Sequence, residues 1–84
     1  YHDPRVKHTK TETVDFIVPE RLREARLYRD IGRKYAAEQL GISERLLGLY
    51  ENGHEEIPKQ LIFGLQNLYN FPQKYFYEVR WERV

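Results

Sequence analysis

The residues of this 84-residue chain that could hold a metal or do acid–base chemistry are few and poorly spaced. His54 and Glu55 begin a zinc-peptidase pattern, but Pro58 stands where the pattern needs its second histidine. His2 and His8 lie in a polar segment with neither helical nor strand periodicity, so a metal site there lacks a scaffold. The sequence contains no nucleophile motif, phosphate-binding loop or suitable carboxylate pair. We therefore expect no catalytic residue, no metal and no cofactor.

Charge is the second candidate chemistry. The net charge is only +1, with 14 Lys and Arg against 13 Asp and Glu, which is weak support for a polyanion partner. Residues 21–34 hold six basic side chains against two acidic ones, a local excess of four: Arg21, Arg23, Arg26, Arg29, Arg33 and Lys34. This excess can be an electrostatic footprint for nucleic acid. It can equally be a solvated helix face with i,i+3 and i,i+4 ion pairs, and both interpretations stay open.

Composition indicates one small domain stabilised by packing. Domains usually need about 100 to 200 residues, and a chain without cysteine has neither disulfides nor thiolate metal sites. The absence of cysteine fits a reducing cytoplasm. No apolar run approaches the roughly 18 residues of a membrane span. The chain also lacks methionine, so we treat it as a possible part of a longer protein.

Two short amphipathic segments that meet at a tight corner dominate residues 33–53. Gly32 can cap a helix over residues 33–40, and Gly41 then supplies the positive φ that ends it. Ser43 caps the next helix, over residues 45–51, which the Asn52-Gly53 pair ends by a left-handed turn. This pattern predicts a helix-turn-helix.

Three prolines mark the other predicted helices. Pro19 suits the first turn of a helix over residues 20–28, with Leu22, Ala25 and Arg26 facing inward. Pro58 opens a strongly apolar helix over residues 59–69, and Pro72 a short one through residue 76.

Residues near both ends alternate with the period of a strand. Residues 14–18 and 77–84 show this pattern, and we expect residues 14–18 to pair with residues 77–83. Residues 1–13 are predicted to be a disordered arm or a non-native remnant, residues 14–76 the helix-turn-helix domain, and residues 77–84 a strand-like extension. The aromatic cluster near the C-terminus is open to two interpretations, a dimer or interdomain surface and ordinary core: Tyr75, Phe76, Tyr77 and Trp81.

Residues 19–76 resemble the Cro and phage-repressor helix-turn-helix family, also called XRE-like regulators. The matching segments are LREAR at 22–26, AEQLGIS at 37–43 and YENG at 50–53. Within that family, PERL at 19–22 and NFP at 70–72 are similar to regulators that carry a downstream metallopeptidase domain of the ImmA type. The resemblance implies an all-α, five-helix, lambda-repressor-like DNA-binding domain, whose terminal extensions can add a small β-ladder.

The resemblance also implies site residues. Arg33 would meet a DNA phosphate at the start of the second helix, beside Lys34, and Asn52 would contact phosphate after the third helix, together with nearby backbone amides. The base-facing positions hold Glu44, Arg45 and Leu49, with Ser43 and Gly48 beside them. Arg26 and Glu51 match a structural pair that ties the first helix to the end of the third.

Several residues depart from the family pattern. Arg33 replaces the usual glutamine, and an acidic His54-Glu55-Glu56 run follows Gly53 where relatives often carry a basic residue. Among the base-facing residues only Arg45 can make the bidentate contact to guanine. Gly48 costs the reading helix about 1 kcal/mol relative to alanine unless a close approach is needed there.

We therefore expect sequence-specific binding of double-stranded DNA by a cytoplasmic, phage-type repressor-like transcriptional regulator, as a homodimer on a palindromic operator. The alternative is a protein-interaction module of the antitoxin or partner-binding kind, with weak or no DNA binding, that uses Leu46 and Leu49 or residues 77–84. A third possibility is the sensor-side domain of a longer, peptidase-linked regulator, with the downstream domain or partner contacted through residues 77–84.

Overall fold

Five helices and a two-stranded antiparallel sheet make up the described part of the chain. The computed structural model describes residues 8–83, with side chains described for residues 11–79. In chain order the elements are β1 (His8–Thr13), α1 (Pro19–Tyr28), α2 (Arg33–Leu40), α3 (Glu44–Glu51), α4 (Leu61–Tyr69), α5 (Gln73–Phe76) and β2 (Glu78–Arg83). The predicted fold class, five helices with a small ladder of the terminal extensions, is confirmed. None of the described helices has the length and apolar character needed to cross a membrane.

The helices enclose one hydrophobic core. Helix α2 packs on α3 and α4, and α1 packs on α3, with the small Ala36 and Ala37 buried on the inner side of α2. The largest side chains with almost no exposure come from α1, α3, α4 and α5: Leu22, Leu47, Leu65, Tyr69 and Phe76. Burial of this set holds the α2–α3 unit against the rest of the domain.

The helix boundaries agree closely with those predicted from the capping and turn residues in the sequence. Gly41 adopts φ 73° just after α2, as predicted, and Asp30 adopts φ 56° just after α1. Helix α4 begins at Leu61, two residues later than predicted. The Leu61 N–H donates to the Pro58 carbonyl at 3.0 Å, and this turn delays the start of the regular helix.

The N-terminal strand lies earlier than predicted. Residues 8–13, expected to belong to a disordered arm, form β1 and pair with β2 from His8 opposite Arg83 to Thr13 opposite Glu78. Residues 1–7 of that predicted arm, including His2, lie outside the described residues. Threonine at every second position of β1 is a strand signal, because β-branched side chains favour extended backbone.

The prediction of a strand over residues 14–18 is wrong. The chain bends at residues 15 and 16, which leaves Phe16 53% exposed and buries the consecutive Ile17 and Val18. In an alternating strand, neighbouring side chains point to opposite faces, so burial of both Ile17 and Val18 is incompatible with that pattern. The bend instead directs the chain into the helical core. Two backbone bonds still join this segment to the C-terminal part, Val14 N–H to the Tyr77 carbonyl at 2.7 Å and Val18 N–H to the Phe76 carbonyl at 2.8 Å.

Candidate nucleic-acid interface

The corner between α2 and α3 is built from backbone hydrogen bonds. Gly41 N–H donates to the Glu38 carbonyl at 3.2 Å, and Ile42 N–H donates to the Ala37 carbonyl at 3.0 Å, the two bonds of a Schellman motif. Ser43 then caps α3, since its Oγ accepts from Leu46 N–H at 3.0 Å. These caps fix the direction in which α3 leaves α2.

Helix α3 buries one side and exposes the other. Leu47, Tyr50 and Glu51 are buried, and Leu46 packs at the edge of the core. The opposite side forms a continuous arc of residues at helical i,i+4 spacing. Glu44, Arg45 and Asn52 on this arc are exposed, and Gly48 and Leu49 are half-buried. The structure thus brings the predicted base-facing residues of α3 together on one open surface, with the exposed Ser43 at its start.

Arg33, the first residue of α2, extends along α3. A Cβ atom built on Gly48 would stand 3.7 Å from Nη1 of Arg33 and 3.9 Å from its Cδ. The Arg33 Nε lies 3.6 Å from Oε1 of Glu51 and has no hydrogen-bond partner among the described residues. The side chain remains 41% exposed, so its guanidinium is held near α3 and still reaches solvent. Lys34 beside it is exposed.

Arg26 and Glu51 form a buried bidentate pair. Arg26 Nε donates to Oε2 of Glu51 at 2.7 Å and Nη2 donates to Oε1 at 3.1 Å. Nη1 of Arg26 also donates to the Ile31 carbonyl at 3.1 Å. The hydrogen bonds to Glu51 raise the pKa of Arg26, against the opposing effect of its burial. The two residues predicted as a structural pair therefore join α1 to α3 directly.

Tyr69 lies in the core near this pair. Its side chain is fully buried, and its Oη finds no hydrogen-bond partner among the described residues. Burial, together with the negative charge of Glu51, raises the pKa of Tyr69 to about 12. No sequence signal marks this hydroxyl, since the apolar pattern of α4 predicts only that Tyr69 faces inward.

The arginines of residues 21–34 are largely used inside the molecule. Arg21 is buried and its Nε donates to the Glu78 carbonyl at 2.9 Å. Arg29 donates from Nε to the Tyr69 carbonyl at 2.7 Å and from Nη2 to the Asn70 carbonyl at 3.0 Å. With Arg26 also paired, three of the six basic residues serve the fold. Most of these contacts join α1 to distant parts of the chain, so they fit neither the nucleic-acid footprint nor the solvated helix face with local ion pairs.

The backbone around Asn52 is not free to bind a phosphate. The N–H groups of Asn52, Gly53 and His54 donate to the carbonyls of Gly48, Tyr50 and Leu49 at 3.1, 3.1 and 2.9 Å. These three groups close the end of α3, so the amides at residues 52–54, expected to contact DNA, already have acceptors within the chain. The exposed side chain of Asn52 remains available.

The C-terminal aromatic residues with described side chains lie in the core or at its edge. Phe76 is fully buried, and the half-buried Tyr75 stacks on Phe71 with ring centroids 4.3 Å apart. This favours the core interpretation for both residues, whereas the Trp81 side chain lies outside the described ones. The most exposed aromatic rings on α2 and α4 are Tyr35 and Phe63, at 54% and 62%, and the sequence analysis did not single them out.

The described residues also include no group of three or more His, Cys, Asp and Glu side chains placed to hold a metal ion. A groove of about 440 Å³ borders the end of α3, between residues 16–19 and 53–59. Its rim carries Glu55 and Glu56, which gives that side of the molecule an acidic character.

No protein-family model matches this sequence, and no curated protein matches it. Among solved structures, the chain is similar to the crystal structure of the restriction-modification controller protein C.AhdI from Aeromonas hydrophila. The two agree with a TM-score of 0.64 and 21% sequence identity, over 69% of this chain and 84% of that one. This chain shares its fold with that controller protein.

Proposed function

We propose that this chain binds double-stranded DNA as a helix-turn-helix transcriptional regulator. The observation that carries the proposal is the open arc of α3, because a helix whose outer side is free can lie in a major groove about 12 Å wide. A fold shared with a restriction-modification controller protein supports a regulatory role. We place the regulator in the cytoplasm and assign it a repressor-like action of the Cro and phage-repressor type.

Sequence selection is assigned mainly to Arg45. Its exposed guanidinium can donate two hydrogen bonds to the O6 and N7 atoms of one guanine, worth about 1 to 3 kcal/mol of discrimination. Leu49 can contact a thymine methyl, and Glu44 can accept from a cytosine amino group. The Oγ atom of Ser43 accepts the hydrogen bond that caps α3, and its hydroxyl proton can still be donated to a base.

Phosphate binding is assigned to Arg33, Lys34 and the side chain of Asn52. Arg33 and Lys34 start α2, where the helix dipole also favours an anion. The Arg33 guanidinium has five N–H donors, and its contact with Glu51 uses only the Nε side of the fork. The Nη1 and Nη2 groups of Arg33 can therefore donate to a phosphate oxygen while the contact with Glu51 is kept.

A homodimer on a palindromic operator completes the proposal. Two copies related by a two-fold axis present two α3 helices to half-sites about 34 to 36 Å apart. Each copy then places its own Arg45 on one half-site. The number of base pairs read by the dimer is therefore twice that read by one copy.

Selection from a mixed-sequence duplex pool, followed by mobility-shift titrations, tests the proposal. We expect one enriched motif, bound less tightly at higher salt because released counterions accompany phosphate contacts. Arg45→Ala should reduce discrimination at one base pair of each half-site. Lys74→Ala is the matched control, since it removes one exposed positive charge from α5, which packs mainly on α1 and α4. Selection of the same motif by the Arg45 variant would remove that residue from the proposed role.

The second candidate function is a protein-interaction module. The internal use of Arg21, Arg26 and Arg29 and the acidic rim at Glu55 and Glu56 favour it. The partner would contact Leu49 and the exposed part of Leu46, or the strand-like residues 77–84. Absence of salt-sensitive binding to any DNA at low ionic strength would select this function.

We also retain the proposal that the chain precedes an ImmA-type metallopeptidase domain in a longer regulator. The PERL and NFP segments support it. The length of the full open reading frame decides it.

A further inference from the structure

Gly48 lies in the middle of α3, where glycine destabilises a helix relative to alanine. Glycine is often required where the backbone adopts a positive φ, as at Gly41 and Gly53, with φ values of 73° and 75°. Gly48 instead lies within the helical backbone of α3 and is not among the described residues with positive φ. The backbone therefore does not require glycine at this position, which leaves space as the physical reason.

The side chain of Arg33 fills that space. Outside the backbone of α3, the three heavy atoms nearest to a Cβ atom built on Gly48 all belong to Arg33: Nη1 at 3.7 Å, and Cδ and Cζ at 3.9 Å each. These atoms run from the aliphatic part of the side chain to the guanidinium, so the side chain lies along the surface of α3. Gly48 is consequently half-buried although it belongs to the open arc of the helix.

Glu51 holds the same guanidinium from its buried side. Its Oε1 atom lies 3.6 Å from Nε of Arg33, and Glu51 is three residues beyond Gly48, on a neighbouring position of the α3 surface. Arg26 donates to both oxygens of this fully buried carboxylate, so the carboxylate is fixed in place. The Nε atom of Arg33 is buried while its side chain is 41% exposed, so the exposed surface belongs to its other atoms.

A larger residue at position 48 would compete with Arg33 for this space. A methyl group fits, because 3.7 to 3.9 Å are ordinary van der Waals distances. A γ carbon extends about 1.5 Å beyond Cβ, and valine places two of them in two of the three staggered directions. Gly48→Val therefore crowds the Arg33 side chain, whereas Gly48→Ala does not.

Placement before binding matters for a side chain as long as that of Arg33. Arginine loses rotamer freedom when a phosphate fixes it, and this loss opposes binding. An Arg33 side chain already held between Gly48 and Glu51 has given up part of that freedom during folding. The loss that remains when the phosphate binds is therefore smaller.

We propose that Gly48 is a positioning residue for phosphate binding by Arg33. Because Gly48 presents no side chain, Arg33 can lie along α3, where Glu51 fixes its guanidinium. The inference rests on the proposed DNA binding and adds a residue to which no DNA contact is assigned. Gly48 acts only through Arg33, so its substitution should alter the phosphate contact and leave base selection by Arg45 intact.

Proton exchange at arginine Nε tests the positioning without DNA. The Nε–H groups of the full chain are followed by nitrogen-15 NMR, with Arg33→Lys to assign the Arg33 signal. Burial should slow this exchange in the wild type and in Gly48→Ala, and Gly48→Val should accelerate it roughly tenfold or more. The Nε–H of Arg26, which donates to Glu51, should stay protected in all three proteins and is the internal control for an intact fold.

Salt titrations of DNA binding test the consequence. Gly48→Val should lower the slope of log affinity against log salt by about 1 for each bound copy, the value of one lost phosphate contact, while Gly48→Ala keeps the wild-type slope. Adding Arg33→Gln to Gly48→Val should lower the slope no further, because both changes remove the same contact. The motif selected from a duplex pool should stay the same. The intrinsic helix propensity of valine is no lower than that of glycine, so loss of helix stability does not account for the result.

Three results would overturn the inference. One is an Arg33 Nε–H that stays protected in Gly48→Val, and another is a wild-type slope in that variant despite faster exchange. The third is a further loss of slope when Arg33→Gln is added to Gly48→Val. Absence of salt-sensitive binding by the wild-type chain would instead refute the proposed DNA binding, and with it the phosphate role of Arg33. The exchange measurement, made without DNA, distinguishes that failure from a failure of the packing on Gly48.

Discussion

The Nε atom of Arg33 on α2 lies 3.6 Å from Oε1 of Glu51 on α3. The same oxygen accepts a hydrogen bond from Nη2 of Arg26 on α1 at 3.1 Å. The Glu51 side chain is fully buried, whereas that of Arg33 is 41% exposed. One carboxylate thus holds the structural arginine of α1 and orients the arginine that we assign to phosphate binding.

Glu51→Gln should destabilise the domain strongly. It leaves the buried charge of Arg26 without a counter-charge, a change that costs about 3 to 5 kcal/mol for a buried pair. Urea denaturation followed by circular dichroism measures the loss. Glu55→Gln, at an exposed position, is the control and should change stability little.

Replacing both partners of the buried pair distinguishes lost charge balance from lost packing. The double variant Arg26→Met with Glu51→Leu should be more stable than Glu51→Gln alone, because no buried charge remains unpaired. A double variant less stable than the single one would mean that the hydrogen bonds, rather than charge balance, dominate this site.

Arg33→Gln should lower the salt dependence of DNA binding. Loss of one phosphate contact reduces the slope of log affinity against log salt by about 1. Arg29→Gln removes the same charge from an arginine bound to the Tyr69 and Asn70 carbonyls. Its slope should match that of the wild type while its stability falls. Equal slopes for Arg33→Gln and the wild type would exclude Arg33 from the phosphate contacts.

Gly48→Ala should stabilise the protein. The new Cβ would meet Arg33 atoms at 3.7 to 3.9 Å, ordinary contact distances, and alanine gains up to about 1 kcal/mol over glycine inside a helix. Gly41→Ala is the opposite case, since φ there is +73° and a side chain in that region is strained by about 1 to 2 kcal/mol. Thermal unfolding should therefore shift in opposite directions for the two variants.

Local chemistry in the sequence determines much of the helical frame. Gly41, Ser43 and Gly53 act through their own backbone or side-chain geometry within a few residues, so spacing alone predicts α2, α3 and the corner. The β1 strand escaped prediction because its side chains are polar and its partner is almost the whole chain away, at residues 78–83.

The electrostatics of the site depend on contacts that no local pattern records. Arg21 and Arg29 donate to carbonyls 57 and 40 residues further along the chain. No nearby residue indicates these contacts, so the sequence alone suggests that both charges face solvent. The same holds for Arg33, whose position over Gly48 follows from the packing of α2 on α3. The sequence therefore predicts which residues face outward on α3 better than it predicts the charge around them.

Tyr69 supplies a test at neutral pH. Its buried hydroxyl has no hydrogen-bond partner among the described residues, and an unsatisfied buried polar group costs about 1 to 3 kcal/mol. Tyr69→Phe should therefore leave stability at pH 7 unchanged or higher. A marked loss of stability would show that the hydroxyl is satisfied, for example by a buried water.

The same residue should make stability fall in alkaline solution. In the folded state the pKa of Tyr69 is raised to about 12, against about 10 in the unfolded chain. Between these values the unfolded state loses its proton first and the folded state binds more protons, so the free energy of unfolding decreases as pH rises. The full decrease is about 2 to 3 kcal/mol by pH 12. Urea denaturation at pH 9, 10 and 11 should show the free energy of unfolding falling more steeply for the wild type than for Tyr69→Phe, because the variant lacks this ionisable hydroxyl. Parallel pH dependences for the two proteins would place the Tyr69 hydroxyl in contact with solvent.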